Sequence, residues 1–379
     1  MQLSVIILNY NVRHFLELCV LSVQNALQNM DAEIVVVDNN SSDDSCAMMK
    51  QRFPNVKLIE NKENLGFPKG NNIGVAHAKG EYICILNPDT VVAEDTFEKI
   101  ASFLAITENV GIVGCKLIDG TGNFLPESKR GIPTPWVAFA KIFGLYKLFP
   151  KSKLFNQYYA QHVSENETGK VDILVGAFMV MQRQLYNEIG GFDENCFMYS
   201  DDIDLSYRVL QKEKFNYYFH DTTVIHYKGE STVKDGTYMK RFQEAMNFFY
   251  KKHFKMSVFF TVFMKIGIVL FSFVKKLQGH SKPSANPESY ILISENESLK
   301  EKLEKHLKKE VMLYDVRHLS EENFKLEIIF DQNYLDFKTI IRAFEVYKKD
   351  NCTYKILPKS TDFLIGSNSS FDRGEVIRF

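Results

Sequence analysis

Asp89 is the first residue in the chain whose type and position together suggest chemistry. It follows the apolar run 82–86 and the pair Asn87-Pro88, and a proline ends a strand because it has no amide hydrogen to donate. A carboxylate at the carboxyl end of a buried strand stands where open α/β sheets bind their ligands. A divalent cation that carries a diphosphate could use it there, whereas capping of the next helix is the structural alternative.

Three aspartates lie at the start of a helix predicted from residue 201. Asp201 and Asp202 stand at its start and can face a cleft, and the spacing of Asp204 and Arg208 at i and i+4 indicates a structural ion pair. A carboxylate in a partly desolvated site can remove the proton from a hydroxyl nucleophile as that hydroxyl attacks. We therefore predict that Asp202 is a general base.

His226 ends another predicted strand, residues 223–226. A histidine in that position is more often a hydrogen-bonded structural residue than a ligand, so alone it indicates little. Beside Asp89 its imidazole would complete part of a coordination shell for Mg²⁺ or Mn²⁺, with diphosphate oxygens supplying the other ligands. Such a metal would stabilise a departing diphosphate while Asp202 acts as the base.

The elements that must position these residues alternate between strand and helix, which predicts a mostly parallel sheet with helices on both faces. No GxGxxG opens a helix and no GxxxxGK[ST] occurs, so a nucleotide would be bound by other means. Gly66, Gly70 and Gly74 are four residues apart, which is the wrong spacing for either phosphate loop. The predicted strands cover residues 3–8, 33–37, 56–59, 82–86, 171–181, 215–219 and 223–226.

Composition and the amino-terminal sequence limit the partners and the cellular compartment that we expect. The 379 residues carry 46 basic and 47 acidic side chains, so the chain has no overall attraction to nucleic acid, and we expect no such partner. Its six cysteines form no CxxC pair, which is typical of small core residues in a reducing compartment. The amino terminus MQLSVIILNYN lacks a basic region and a cleavage site, so it predicts a first strand and a chain that starts in the cytoplasm.

Residues 130–159 mix large apolar side chains with lysines. Trp136 leads an aromatic and aliphatic face edged by these lysines, which suits a membrane surface or an amphiphilic substrate. An ordinary amphipathic helix packed on the sheet is the alternative. Further on, Gly176 interrupts a predicted strand, where another backbone or a ligand can come close.

The last third of the chain divides by composition into a hydrophobic helix (256–279), a linker (280–288) and a small α/β domain (289–379). The stretch 256–274 is nearly all apolar but carries Lys265 at its middle and lysines at both ends, which favours a helix lying in the cytoplasmic leaflet over one that spans it. A core helix or dimer contact is the third possibility. The small domain has strands predicted at 290–293, 311–314, 326–330, 353–357 and 362–365, helices at 296–309 and 336–349, and a polar surface loop at 366–375.

Six stretches, in order, resemble family 2 glycosyltransferases of the GT-A fold. They are VIILNYN, VVVDNNSSDDS, NLGFPKGNNIG, ILNPDTVV, VGAFMVMQRQLYNEIGGFDENCFMYSDDIDLSYRV and VIHYKGEST. The similarity covers residues 1 to about 255 and is greatest to the rhamnosyltransferase group that builds bacterial surface polysaccharides. The segment GIPTPWVAFAKIFGLYKLFPKSKLF also resembles that group.

The resemblance implies a role for each matching residue. The donor nucleotide sugar would be bound by Asn9, Asp38, Asn64, Gly66, Asn71 and Asn87, the metal by Asp89 and His226, and the acceptor by Trp136, Gly176 and Asp201, with Asp202 as the base. The first acid of the family's DxD is Asn87 here, so it reaches the sugar or ribose by hydrogen bond. The family inverts configuration by direct displacement, which agrees with a single base and no evident nucleophile.

The expected function is transfer of a sugar such as L-rhamnose from a nucleoside-diphosphate sugar to a saccharide on a polyprenyl diphosphate, at the cytoplasmic face of the inner membrane. A nucleotidyltransferase would instead need a Gly- and Arg-rich amino-terminal phosphate signature, and the sequence has LNYNVRHF. A catalytically inactive scaffold in a polysaccharide assembly complex is the other alternative, against which the retained acids and His226 argue.

Overall fold

The alternation of apolar runs with amphipathic stretches produces alternating strands and helices over the first half of the chain. The computed structural model describes residues 1–149, 152, 154–196, 200–227, 238–254, 287, 289–316, 326–348, 352–368 and 374–379. The hydrophobic helix predicted over 256–279 lies outside these residues, and so does the predicted linker 280–288 apart from residue 287. Within the described residues, no helix is both long enough and apolar enough to cross a membrane.

The bounds of the elements before residue 254 are as follows. The strands are β1 (Leu3–Asn9), β2 (Ala32–Asp38), β3 (Lys57–Glu60), β4 (Tyr82–Leu86), β5 (Thr90–Val91), β6 (Val110–Ile118), β7 (Lys129–Arg130), β8 (Gly169–Val171), β9 (Ile173–Leu174), β10 (Phe178–Gln182) and β11 (Phe215–His226). The helices are α1 (Arg13–Ala26), α2 (Ser45–Arg52), α3 (Gly66–Ala76), α4 (Thr96–Ile106), α5 (Pro135–Ile142), α6 (Leu145–Leu148), α7 (Arg183–Glu188), α8 (Asp201–Leu210) and α9 (Tyr238–His253).

Most strands of the larger sheet run parallel. Its order is β3-β2-β1-β4-β10-β6-β11-β5, and β8 pairs with β11 beside this path. Strand β1 is parallel to β2 and β4, and β6 is parallel to β11, whereas β10, β5 and β8 are antiparallel to their neighbours. Short β7 and β9 form a separate antiparallel pair. The predicted α/β class with a mostly parallel sheet is confirmed.

Two strand predictions were wrong in detail. Residues 171–181 form three pieces, β8, β9 and β10, because the amide of Gly176 donates to a side chain instead of a sheet partner. Conversely, the runs 215–219 and 223–226 belong to the single strand β11. Its pairing with β6 shifts between Phe219 and Thr223, so the extra residues are absorbed as an irregularity within the strand.

Apolar side chains fill both faces of the sheet because successive strand residues point to opposite sides. In β1, Val5 and Ile7 pack toward α1, α2 and α4, while Ile6 and Leu8 pack toward α3, α7 and α8. All four side chains are buried. This sandwiching explains why the early strands read as continuous apolar runs.

The four-residue spacing of glycines in α3 has a packing function. A methyl group at Gly74 would overlap the side chain of Ile6, and one at Gly70 would overlap Leu8. The glycines therefore let α3 approach β1 closely, which brings the amino-terminal end of this helix against the carboxyl end of the sheet. Gly66 at that end has φ +78°, a left-handed conformation that favours glycine.

The C-terminal unit, residues 289–379, has a second sheet. It comprises β12 (Ser289–Ile293), β13 (Val311–Tyr314), β14 (Leu326–Asp331), β15 (Cys352–Leu357), β16 (Phe363–Ser367) and β17 (Glu375–Arg378), with helices α10 (Glu297–Leu307) and α11 (Phe337–Val346). The order is β13-β12-β14-β15-β16-β17, parallel from β13 to β15 and antiparallel beyond. The surface loop predicted at 366–375 is shorter at both ends than predicted, because β16 continues to Ser367 and β17 begins at Glu375.

The C-terminal unit packs directly on the larger sheet. Phe15 on α1 and Ile225 on β11 share one apolar cluster with three residues of the C-terminal unit, Ile328, Phe337 and Phe344. Polar contacts reinforce it. The carboxylate of Glu94 accepts hydrogen bonds of 2.8 Å from the amides of Phe337 and Lys338, the first residues of α11, and an anion is favoured at a helix amino terminus.

Candidate active site

The pairing of β5 with β11 brings Asp89 next to His226. His226 pairs with Thr90, and the amide of Tyr227 donates to the carbonyl of Asp89 over 3.0 Å. As a result Nε2 of His226 lies 3.4 Å from Oδ1 of Asp89 and 3.3 Å from Nδ2 of Asn87. Asp89 and His226 are both buried, and Nδ1 of His226 has no hydrogen-bond partner among the described residues.

This arrangement fits a divalent cation as a partial coordination shell. One carboxylate oxygen and one imidazole nitrogen lie close enough to face the same ion, and both ligand types suit Mn²⁺ and, for the carboxylate, Mg²⁺. In the part of the chain that the structure describes, no group of three or more His, Cys, Asp or Glu residues could hold a metal. A cation here would therefore depend on oxygens from a bound diphosphate or from water.

Asp202 begins α8, and its two carboxylate oxygens have different surroundings. Oδ2 accepts hydrogen bonds from Nη2 of Arg130 over 2.5 Å and from the amide of Gly176 over 3.2 Å. Oδ1 accepts none from the residues described. The helix amino terminus favours the negative charge. The contacts of Oδ2 thus fix the orientation of the carboxylate, and Oδ1 could accept a hydrogen bond from a ligand.

The loop at Gly176 connects Asp202 with the Asp89–His226 pair. While the amide of Gly176 donates to Asp202, the carbonyl of the following Ala177 accepts from the amide of Asn87 over 3.0 Å. A methyl group built on Gly176 would lie 3.5 Å from Cβ of Asp202. The backbone therefore passes close to the base, and the predicted catalytic and metal residues lie along one edge of the sheet.

Polar side chains continue this edge across β1 and β2. Asn9 and Asp38 pair in register, and Nδ2 of Asn9 donates to Oδ1 of Asp38 over 2.7 Å and to Oγ of Ser41 over 3.0 Å. The amide of Ser41 donates to Oδ2 of Asp38 over 2.8 Å. Oδ1 of Asn9 is buried without a partner among the described residues. The donor residues predicted on these two strands lie together.

Asn64, Gly66 and Asn71 lie beside the same edge, and a residue that sequence reasoning missed links the first two. Asn39 donates through Nδ2 to Oδ1 of Asn64 over 3.2 Å and to the carbonyl of Gly66 over 3.1 Å. Asn71 donates to the carbonyl of Phe67 over 3.0 Å, and its buried Oδ1 has no partner within the described ranges. The unused amide oxygens of Asn9 and Asn71 are acceptors that a ligand could satisfy.

The three residues predicted on the acceptor side occupy different depths. Gly176 contacts the base, as described above, and Asp201 is buried beside Asp202 at the start of α8. Trp136 lies on α5 and is 41% exposed, and its Nε1 donates to the carbonyl of Leu154 over 3.1 Å. The structure thus places Trp136 in an outer layer and the other two near the carboxylates.

Asp204 is excluded as the base by its contacts. It is fully buried and bonded to Arg208 at 2.7 Å, Lys252 at 2.8 Å and His253 at 2.6 Å. Burial alone would raise the pKa of Asp204, but Lys252 and His253 lower it below the usual value. The predicted structural pair with Arg208 is confirmed, and Asp204 joins α8 to α9 instead of facing a ligand.

Arg130 is the main functional candidate that the sequence did not reveal. It lies 72 residues from Asp202 along the chain, on β7, and nothing in its local sequence indicates an ion pair at that distance. Asn39 could have been recognised, because it directly follows Asp38 at the end of a buried strand. Only the folded chain connects Arg130 with the base.

Comparison with known proteins decides the family. The model of glycosyl transferase family 2 matches residues 4–190. The chain is a family 2 glycosyltransferase. The transferase is 24% identical over 244 residues to N-acetylglucosaminyl-diphospho-decaprenol L-rhamnosyltransferase of Mycobacterium tuberculosis. That match covers 62% of this chain and 78% of the relative. It is 25% identical over 224 residues to Rhamnosyltransferase WbbL of Escherichia coli K12, and that match covers 54% of this chain and 78% of the relative.

Solved structures resemble the transferase at lower sequence identity. Mannosyltransferase PcManGT from Pyrobaculum calidifontis, in complex with GDP-Man and Mn²⁺, is 18% identical with a TM-score of 0.49, and the match covers 74% of this chain and 76% of that one. The family, together with the sheet order described above, confirms the GT-A fold that the sequence motifs implied.

Proposed function

We propose that this transferase moves a sugar such as L-rhamnose from a nucleoside-diphosphate sugar to a hydroxyl group of a lipid-linked saccharide, with inversion of configuration. The observation that carries the proposal is the edge shared by Asp202, Asp89 and His226, which combines one available carboxylate oxygen with a carboxylate–imidazole pair. A carboxylate that accepts the hydroxyl proton, with a cation at the departing diphosphate, suits a direct displacement.

In this reaction Asp202 acts through Oδ1. The acceptor oxygen forms a bond to the anomeric carbon while the bond from that carbon to the diphosphate breaks, and the hydroxyl proton passes to Asp202. Arg130 and the amide of Gly176 orient the carboxylate from its other oxygen. When bound, Mg²⁺ or Mn²⁺ would neutralise charge on the departing diphosphate, and Asp89 and His226 are the residues that would hold it.

The donor occupies the carboxyl edge of β1, β2 and β4 in this proposal. Asn9 and Asp38 contact the nucleobase and the ribose of the donor. Asn64, Gly66 and Asn71 line the donor, and Asn87 reaches its sugar or ribose. Support comes from the buried amide oxygens of Asn9 and Asn71, which have no partner in the described part of the chain. Bound polar groups of a nucleotide sugar would satisfy them.

The acceptor proposal follows the relatives. The Mycobacterium tuberculosis protein is named for a diphospho-decaprenol substrate, and a relative from Bacillus subtilis, GgaB, is named for minor teichoic acid biosynthesis, with 25% identity over 217 residues. We assign this transferase to surface polysaccharide synthesis on a polyprenyl-diphosphate-linked saccharide. The corresponding location is the cytoplasmic face of the inner membrane, with the enzyme at the membrane surface.

A donor screen tests the function. The purified chain in a membrane mimetic is supplied with lipid-linked saccharide, Mg²⁺ or Mn²⁺ and one nucleotide sugar at a time, and release of the nucleoside diphosphate is measured. We expect acceptor-dependent release with one or a few donors and the product anomer inverted relative to the donor. Retention of configuration, or no release with any donor, would refute the proposal.

A further inference from the structure

A cationic cluster lies directly behind the base. Lys141 on α5 places its Nζ 3.4 Å from the centre of the Tyr158 ring and 5.4 Å from that of Tyr159. Arg130, which bonds to Asp202, is close enough to the same cluster to influence both Lys141 and Tyr158. Two positive side chains and a phenol thus meet within reach of the proposed catalytic carboxylate.

Lys141 is an unusual cation because it is partly buried and forms no ion pair with any carboxylate among the described residues. Burial lowers the pKa of Lys141. Burial would raise the pKa of Tyr158, yet Lys141 and Arg130 lower it below its usual value. Tyr158 and Glu127 favour the charged form of Lys141, and an anionic ligand would favour it further.

Arg130 also has binding capacity left. Its Nη2 bonds to Asp202, but its Nε is buried without a hydrogen-bond partner among the residues that the structure describes. A guanidinium presents several donors in one plane and suits phosphate oxygens. The cluster therefore offers donors for an anion next to the carboxylate that would receive the acceptor's proton.

An exposed aromatic face begins on the same helix as Lys141. Trp136 contacts Phe155, and Phe155 contacts Phe149, with ring centres 5.7 Å and 5.3 Å apart. Trp136, Phe149 and Leu154 are 41%, 52% and 53% exposed. Adjacent exposed apolar groups of this size on a protein surface indicate an interaction site, and this one begins on the helix that also carries Lys141.

We propose that Arg130 and Lys141 bind the diphosphate of a polyprenyl-diphosphate-linked acceptor, and that the face formed by Trp136, Phe149, Leu154 and Phe155 carries its polyprenyl chain. The charges are complementary, and the apolar face begins on the helix that carries Lys141, so one ligand with a charged head and a long apolar chain could occupy both. The inference rests on the proposed function for the identity of the acceptor. It adds the residues that recognise the part of the acceptor remote from the reacting hydroxyl.

Binding of farnesyl diphosphate, measured by calorimetry on the full chain in EDTA, tests the subsite without turnover. Lys141→Gln should raise the dissociation constant about ten- to a hundredfold, since a charge-assisted contact is lost, and Lys141→Arg should restore most of the affinity. Lys170→Gln is the matched control, because Lys170 also lies over an aromatic ring, that of Phe215, at 3.3 Å.

The ligand set identifies what the subsite recognises. Farnesol and inorganic pyrophosphate should each bind at least about tenfold more weakly than farnesyl diphosphate, because each lacks one half of the recognised chemistry. Equal affinity of the wild type and Lys141→Gln for farnesyl diphosphate would overturn the proposal. So would binding to phosphatidylglycerol vesicles that depends on Lys141 while farnesyl diphosphate binding does not, since the occupant would then be the bilayer.

Turnover distinguishes this inference from the proposed function. With the lipid-diphosphate saccharide, Lys141→Gln should raise the acceptor KM, while with the same saccharide on a neutral alkyl chain KM should match that of the wild type. An equal rise for both acceptors would overturn the diphosphate assignment. Lys141-dependent binding of farnesyl diphosphate in an enzyme that turns over no donor would refute the proposed function and leave the subsite standing.

Discussion

The Asp89–His226 pair shows how two common side chains become a specific site through burial. Each is nearly removed from solvent, and Nε2 and Oδ1 are 3.4 Å apart. Because a buried carboxylate without a counter-charge is costly, the pair is better satisfied when a cation lies beside it. Asn87, which replaces an acid of the family motif, contacts the imidazole and so adds a polar neighbour without adding charge.

Removal of His226 tests this pairing. His226→Ala should weaken metal-dependent binding of the donor by at least about tenfold, as expected when a metal site loses a ligand, and calorimetry with and without Mn²⁺ measures the change. His220→Ala is the matched control, since His220 lies on the same strand but is bonded to Thr168 and partly exposed. Equal loss in both variants would contradict the assigned role of His226.

At the residue scale, sequence reasoning selects side chains with reactive groups that stand at the ends of predicted elements. Asp89, Asp202 and His226 could be selected because each carries a functional group at the end of an element. Arg130 could not be selected, because its partner is 72 residues away and depends on tertiary packing. Local sequence contains no information about which distant cation meets a given carboxylate.

The helix α8 illustrates how one element turns the acids of its first turn toward different neighbours. Its first turn holds three aspartates, and helical geometry turns Asp204 toward α9 while Asp202 faces the Gly176 loop. The i and i+4 spacing predicted the bond from Asp204 to Arg208. It could not predict Lys252 and His253, because α9 reaches this point only through the tertiary fold.

Loss of the Asp204 carboxylate should destabilise the enzyme strongly. Asp204→Asn removes the buried negative charge that Arg208 and Lys252 contact, so we expect a free energy of unfolding lower by about 3–5 kcal/mol at pH 7. The pKa of Asp204 is lowered in the folded state, so its contribution is present above the unfolded-state pKa and is lost as the pH falls through the folded-state pKa. The difference between variant and wild type should therefore shrink below about pH 4.

Urea unfolding at a series of pH values measures this effect. Asp221→Asn serves as the control, because Asp221 is 55% exposed and its ion pair with His220 should contribute little. A stability difference for Asp204→Asn that grew as the pH fell would contradict the account of its charge.

Element prediction succeeded where one face or both faces of a segment are uniformly apolar. Strand β4 was predicted at its observed bounds because its apolar run ends at Leu86, shortly before Pro88. The region around Gly176 misled the prediction, since its backbone amide serves Asp202 and not the sheet. Apolar residues continue through this break, so composition alone cannot reveal it.

On the scale of the whole molecule, the C-terminal unit is part of the same packed body as the transferase sheet. Apolar residues of both contribute to one cluster, and Tyr227, which directly follows His226, lies in that cluster with Phe15. The strand end that carries the proposed metal ligand thus rests on the interface. The sequence predicted a small α/β domain but not that it packs here.

The contact of Glu94 with α11 provides a test of this coupling. Glu94→Ala removes the carboxylate from the two leading amides of the helix, so we expect a loss of about 1–2 kcal/mol in the free energy of unfolding. Thermal unfolding followed by circular dichroism should show one transition with a lower midpoint. Glu98→Ala, an exposed residue on α4, should have little effect. Two separate transitions, only one of them shifted, would show that the two sheets unfold independently.

The base assignment is tested most directly by Asp202→Asn, with donor binding and turnover measured on the same preparation. The amide keeps the size of the side chain but cannot accept the hydroxyl proton. We predict nucleoside diphosphate release slower by at least about a hundredfold and a donor dissociation constant within about threefold of the wild type. Turnover at the wild-type rate with intact donor binding would contradict the assignment of Asp202 and the mechanism built on it.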